Sequence, residues 1–173
     1  MFAYFIFKYL LCSCIVPCPV SGSNSLEIGG GTIGSYHYTM HGDQPVVTSV
    51  KISLKKSDID HGSETTSCTQ EYSRMLDDDG VKDCDAGHIL AHRLGGPGNQ
   101  PTNIFPQDLS INRGSYKTYE DEIYNCVKGG QDADLSWTFT YETTSNTKPI
   151  KVHYSADYKQ SGDCTDSAHY FGN

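Results

Sequence analysis

An α+β domain built on an antiparallel sheet is what this sequence predicts, and three observations predict it. Residues 46–54 alternate apolar and polar side chains, the period of a half-buried strand. Residues 135–142 and 150–154 repeat that alternation late in the chain and read as a hairpin. Residues 108–127 instead carry Leu109, Tyr116, Tyr119, Ile123 and Val127 at steps of three, four and seven, the spacing of one helical face. The chain has 173 residues, which suits one domain.

The elements follow in order. Residues 1–19 are rich in Phe, Leu, Ile, Cys and Tyr, with one basic residue, Lys8, and no acid. Ser21-Gly22-Ser23 then supplies small side chains, so 1–23 reads as a signal peptide and 24–173 as a secreted domain. The rival, a membrane anchor, is broken by Pro17 and Pro19 and is only marginally long enough. Cys12, Cys14 and Cys18 fall in the leader, leaving Cys68, Cys84, Cys126 and Cys164. An even number in a secreted chain implies two disulfides, with three pairings open. Residues 24–34 are Gly- and Ser-rich and read as a loose start; 55–67 read as an exposed loop. Residues 69–76 are expected as a strand, Asp77-Asp78-Asp79-Gly80 as a turn and 81–85 as the returning strand. Residues 87–107, with Gly95-Gly96-Pro97-Gly98 inside, form a long irregular stretch, and such loops in small domains are usually functional. The helix over 108–127 has Asp108 or Ser110 as its cap and Gly129-Gly130 as its stop, while Gly114 weakens its first turn. The polar tail over 157–173 is expected to be tied down by Cys164.

The net charge is −8, and without Lys8 the domain holds 12 basic against 21 acidic residues, a balance of −9. That balance argues against a broad basic face for nucleic acid. The distribution is uneven, however. All three arginines, Arg74, Arg93 and Arg113, lie in or beside residues 85–120. Between Ala86 and Tyr119 the basic residues are Arg93, Arg113 and Lys117, against Asp108 alone. That pattern suits a compact phosphate-handling site with strong salt sensitivity.

The residue types in that segment match what phosphodiester hydrolysis requires. A base must take a proton from water, and neutral histidine does so near pH 7; His88 follows the strand at Asp85-Ala86-Gly87. A hard cation must offset charge on the phosphate, and such ions prefer amide or carboxylate oxygens to thiolates. Asn112 and Glu120 supply these from the helix. Eight residues correspond to about 12 Å of helical rise, so Asn112 is read as the direct ligand and Glu120 as acting through water or in the surrounding shell.

Asp85-Ala86-Gly87-His88, Gly95-Gly96, Asn103-Ile104-Phe105-Pro106-Gln107, then Asn112-Arg113-Gly114-Ser115-Tyr116 and Glu120 resemble the DNA/RNA non-specific endonucleases, the ββα-metal or His-Me finger nucleases. The family pattern is D-x-G-H, N-x-x-P-Q, then N-x-G-x-[WY]-x-x-x-E, and the match covers about 36 residues in order. The resemblance implies a ββα-metal core in a disulfide-stabilised α+β fold, and magnesium-dependent cleavage of DNA, RNA or both, with manganese a possible substitute. It implies that His88 is the general base and Asn112 the sole direct protein ligand to magnesium. Glu120 would orient metal-bound water, Asn103 would support base or substrate, and Asp85 would be structural. Many members read D-R-G-H, with the arginine on the phosphate; here Ala86 stands in its place. Arg93 and Arg113 are the candidates to bind substrate instead, with Arg74 a weaker one.

Two other readings keep the fold and drop catalysis. Ala86 suggests an inactive secreted nucleic-acid-binding protein, and the acidic balance suggests a disulfide-rich interaction protein. The intact set of His88, Asn112 and Glu120 speaks for the enzyme. Cys84, His88 and His92 have the C-x₃-H-x₃-H spacing of a zinc site on a helix, but Gly87 and the strand signal before it argue against a helix there.

Overall fold

The computed structural model describes residues 18–76 and 84–173. The expected turn at Asp77–Gly80 and most of the expected leader lie outside these residues.

Six antiparallel strands form the main sheet. Strands β1 (Gly22–Ile28), β2 (Thr32–His41) and β3 (Gln44–Leu54) meander along one side. Strands β6 (Ala133–Thr140), β7 (Lys151–Tyr158) and β8 (Ser167–Gly172) complete the order β1-β2-β3-β6-β7-β8. The β6–β7 hairpin and β3 lie where the alternation places them. One expectation fails near the start. Residues 24–34 are not loose: seven residues of β1 pair with β2 in continuous register. β1 turns straight into β2 through Gly29–Gly31, and the small and polar Gly22 and Asn24 on its less exposed face mask the alternation. The tail over 157–173 is tied down by Cys164 as expected, and it also supplies an edge strand through Val152 opposite Phe171.

Helix α1 (Ser67–Met75) stands where a strand is expected. Thr66 caps it by accepting from the Thr69 backbone, and Thr69 returns a bond to the Thr66 backbone. The buried residues Thr69, Tyr72, Ser73 and Leu76 fall at i, i+3, i+4 and i+7, a helical stripe. Two of the four are polar, which hides the stripe from a purely apolar reading.

Strands β4 (Cys84–His88) and β5 (Ile104–Asp108) form a separate antiparallel pair, with His88 opposite Ile104 and Asp85 opposite Gln107. β5 is buried on both faces. Phe105 enters the main core, and Ile104 joins Tyr72 and Leu76 under α1. This explains why its sequence does not alternate. Short 3₁₀ turns at His92–Leu94 and Pro101–Asn103 order the intervening stretch. The chain then enters α2 (Leu109–Ile111), capped by the Asp108 carboxylate on the Ser110 and Ile111 amides. A wide turn over Asn112–Tyr116 departs from helical geometry at Gly114 (φ −110°, ψ −109°), and α3 (Lys117–Gly129) continues beyond it. The expected single helix is thus two pieces joined by a bend at Gly114.

Tyr116, Tyr119, Ile123 and Val127 of the bend and α3 pack on the sheet against Trp137, Tyr154 and Phe171. Trp137 stacks on Tyr154 at 4.3 Å and donates its indole N–H to Tyr116 Oη at 2.9 Å. Cys126 and Cys164 form a disulfide between the end of α3 and the segment before β8. Cys68 is also disulfide-bonded. Two corrections follow for the cysteines. Cys84 is held as a thiol, half-buried at the head of β4. Cys18, expected in the leader, is disulfide-bonded and packs beside Tyr72, Leu76 and Ile104. No helix among the described residues is long and apolar enough to cross a membrane.

Candidate active site

β4 ends at His88, and the turn after α2 begins at Asn112, so the β4–β5 hairpin and the bent helix bring both side chains to one surface. The geometry around His88 determines its tautomer. Its Nε2 lies 3.0 Å from the Ser63 carbonyl oxygen. A carbonyl can only accept, so Nε2 carries the proton and Nδ1 is the bare nitrogen. Burial disfavours the imidazolium and is the largest influence on His88. The Ser63 bond and Glu64 oppose it, His92 reinforces it, and the net effect holds the group below the ordinary histidine value. His88 is therefore neutral near pH 7 and able to accept a proton at Nδ1.

Asn112 donates its amide N–H to Asp85 Oδ2 at 2.9 Å. That bond fixes which end of the amide is nitrogen and leaves Oδ1 as the available acceptor. Asp85 in turn receives Arg113 bidentately, Nε on Oδ2 and Nη2 on Oδ1, both at 2.8 Å. Burial works against the Asp85 charge, but the bonds from Arg113 and Asn112 and the nearby guanidinium charge prevail, and its carboxyl is held below the usual value. So Asp85 is the orienting group for the amide, and Arg113 keeps it ionised.

Glu120 is partly exposed along its stem, yet its Oε1 is buried and receives no hydrogen bond. Burial first, then Asp121, raises its pKa well above normal, with Lys117 opposing. A buried carboxylate oxygen without a donor is costly unless a cation or water completes it. Together with the Asn112 oxygen, it makes an oxygen donor set suited to a hard divalent ion. The residues present therefore fit such an ion, with Asn112 and Glu120 as the groups that would hold it.

Two cavities meet at this ridge and share Glu64, His88, Asn112 and Arg113. One, of about 420 Å³, reaches Glu120, Lys117, Arg93 and His92. The other, of about 440 Å³, reaches Ala86 and α1. His92 Nδ1 sits 3.4 Å from Glu64 Oε1, and its ring centroid is 6.1 Å from that of His88. Arg93 is bound to Asp121 and lies 4.0 Å over the Tyr124 ring, so its charge is already partnered at the cavity rim.

Asn103 is not at the reacting surface. It is 0% exposed, accepts from Tyr36 Oη at 3.1 Å and the Leu90 amide at 3.0 Å, and donates to the Leu90 carbonyl at 2.9 Å. These bonds fix the segment after His88 and tie it to β2. Tyr116 performs a matching task, donating to the Ile89 carbonyl at 3.2 Å. Gly95 and Gly96 let that segment fold tightly. Gly95 has φ +95°, and a Cβ on Gly96 would collide with the Leu90 carbonyl.

Sequence reasoning missed Ser63 and Glu64. Ser63 acts through its backbone carbonyl, which no residue type betrays, and Glu64 lies in a loop read as merely exposed. Arg74 was placed on a strand, whereas it sits on α1 and lines the cavity next to Ala86.

A two-stranded hairpin and bent helix that present a neutral histidine beside an amide oxygen and a carboxylate define the ββα-metal class of phosphodiester hydrolases. The chain belongs to the DNA/RNA non-specific endonuclease family, whose sequence profile matches residues 30–162. A probable deoxyribonuclease, RhsA, of Dickeya dadantii (strain 3937) is 34% identical over 122 residues, which cover 70% of this chain. The matched part is 8% of that much longer relative. The metal-free structure of NucA from Streptococcus agalactiae superposes with a TM-score of 0.55 at 15% identity, covering 91% of this chain and 85% of that one. Its magnesium-bound form gives 0.53 at 13% identity, covering 86% and 84%. At these identities the likeness is one of fold.

Proposed function

We propose that this chain is a secreted, magnesium-dependent endonuclease that hydrolyses DNA and/or RNA with little sequence preference. The observation that carries the reading is the pairing of a histidine whose Nδ1 is bare with an asparagine whose amide nitrogen is tied to Asp85. His88 takes a proton from water at Nδ1 as the water oxygen bonds to phosphorus and the phosphorus–ester oxygen bond breaks, the leaving oxygen taking a proton from solvent water. The Ser63 carbonyl holds the imidazole ring in place and stabilises the N–H that becomes part of the imidazolium. Asn112 and Glu120 would hold a magnesium or manganese ion, which would supply positive charge to offset that of the phosphate and the leaving oxygen. Asp85 keeps the Asn112 oxygen turned outward, and Arg113, 64% exposed with Nη1 outside its pair with Asp85, meets the phosphate from solvent. Arg93 supports the flanking backbone more weakly, since Asp121 already neutralises it. Secretion is proposed from the apolar run of the sequence ahead of Cys18 and from the disulfides, which persist in oxidising compartments.

Plasmid nicking at low salt tests this reading with magnesium, with EDTA, and with His88→Ala. Cleavage that requires both the ion and His88 is expected. A folded, oxidised protein that leaves DNA and RNA intact with magnesium and with manganese would falsify the enzyme reading.

A further inference from the structure

Of the groups used in the proposed hydrolysis step, the cavity on the α1 side of the ridge is lined by His88, Asn112, Asp85 and Arg113, the carboxylate of Asp85 being already held by Asn112 and Arg113. Its remaining wall comes mainly from Thr65, Gln70, Ser73 and Arg74, with Ala86 beneath. A volume of about 440 Å³ lies within the roughly 300–1,000 Å³ range of small-molecule sites. The methyl group of Ala86 leaves this space open, whereas a long side chain at that position would extend into it.

The three arginines differ in what already binds them. Arg113 is paired with Asp85, and Arg93 with Asp121. Arg74 is exposed and has no ion pair among the described residues. Gln70 and Arg74 are four apart on α1 and share a face of the helix. Gln70 donates to Thr65 Oγ1 at 3.2 Å, which joins the helix to the loop at the cavity wall. The helix is firmly seated. Thr69 Oγ1 donates to the Gly98 carbonyl at 2.7 Å, Tyr72 is buried, and Ser73 Oγ reaches the Asp85 carbonyl at 3.4 Å. The helical turn that carries Arg74 is thus held at a fixed place relative to the β4–β5 pair that carries His88.

We propose that Arg74, with Gln70 and Thr65 beside it, forms a second phosphate subsite that grips the nucleic-acid backbone next to the phosphate being hydrolysed. A planar guanidinium meets two phosphate oxygens at once, and an amide and a hydroxyl add further donors. The subsite rests on the endonuclease reading, because it needs a polyanion crossing the ridge from the Glu120 cavity into the α1 cavity.

The test uses full-length oxidised protein carrying His88→Ala, titrated with a labelled single-stranded DNA oligonucleotide over a salt series. Adding Arg74→Ala is expected to weaken binding about tenfold and to lower the slope of log Kd against log salt by about one unit. In the active protein the same change raises KM by about tenfold and leaves kcat nearly unaltered. Arg74→Lys, which keeps the charge and the helix, is expected to retain the slope while binding more weakly than arginine. Unchanged affinity and slope for both Arg74 variants, in a protein that cleaves DNA with His88 present, overturn the subsite and leave the nuclease reading intact. A protein that neither binds nor cleaves with His88 present overturns both.

Discussion

In the six-stranded sheet almost every inward position holds an apolar side chain, from Tyr36 and Ile52 through Trp137 to Val152. In the unit made by β4, β5 and the bent helix, the reacting groups and the segment behind them are fixed instead by polar bonds: Asn112 on Asp85, His88 on Ser63, Asn103 on Leu90, Tyr116 on Ile89. Apolar packing is non-directional and scales with area, whereas hydrogen bonds impose distance and angle. The sheet therefore supplies stability, and the smaller unit supplies orientation. Changes in the first should lower the melting temperature, and changes in the second should lower the rate.

The largest effect expected from this contrast is at His88. His88→Ala should reduce cleavage by about 10²–10⁴-fold while thermal unfolding stays near wild type. A melting temperature that collapses along with activity would mean that His88 belongs to the scaffold. Trp137→Ala is the opposite case. It should cost about 3–5 kcal/mol of stability, read by denaturant unfolding, yet leave kcat of the folded fraction largely intact. Asp85→Ala frees both the Asn112 amide and Arg113 and should lower activity by about 10–100-fold, measured as cleavage rate against magnesium concentration. If added magnesium fully restores the rate, Asp85 acts on ion affinity; if it does not, Asp85 acts on the chemical step. Asn103→Ala crosses the boundary between the two regions. It strands the Leu90 amide and carbonyl in the interior and should cost about 1–3 kcal/mol, with a loss of rate beside it because the segment after His88 shifts.

The smallest effect concerns pH. His88 must be neutral to accept a proton, and burial, the largest influence, lowers its pKa below 6.5. Activity should then be complete at pH 7 and fall as acid protonates the ring, with the midpoint of the acid limb below 6.5. The same depressed value means that the unfolded chain binds protons before the folded one does. Stability from this group is present above the unfolded value and lost as pH falls through the folded one. A midpoint above 6.5 would show that the neighbouring Glu64 outweighs burial.

The same contrast explains what could be read from sequence. The period-2 pattern of β3 and of the β6–β7 hairpin was plain because their inward residues are apolar. The active-site motif was legible because its chemistry needs particular residue types: an imidazole, an amide and a carboxylate. Helix α1 was not, since its buried stripe includes Thr69 and Ser73, and a polar residue inside looks like a polar residue outside. The bend at Gly114 was foreshadowed only as a weak first turn, although it sets how Asn112 and Glu120 face the same surface. Ser63 was invisible because its contribution is a carbonyl. The role of Asn103 was open from sequence, and its four committed bonds to neighbouring groups make it a brace.

The Cys126–Cys164 bond closes residues 126–164 into a covalent ring that encloses β6 and β7. Closing a loop with a sequence separation of 38 lowers the entropy of the unfolded chain by an amount worth about 4 kcal/mol in the loop-closure treatment. His88, Asn112 and Glu120 all precede the ring. A single peptide-bond cut in the 141–150 turn therefore leaves one linked molecule with its reacting residues on an unbroken stretch of chain. Reduction would convert that silent nick into two separable pieces, so survival among proteases depends on the oxidation state of one bond.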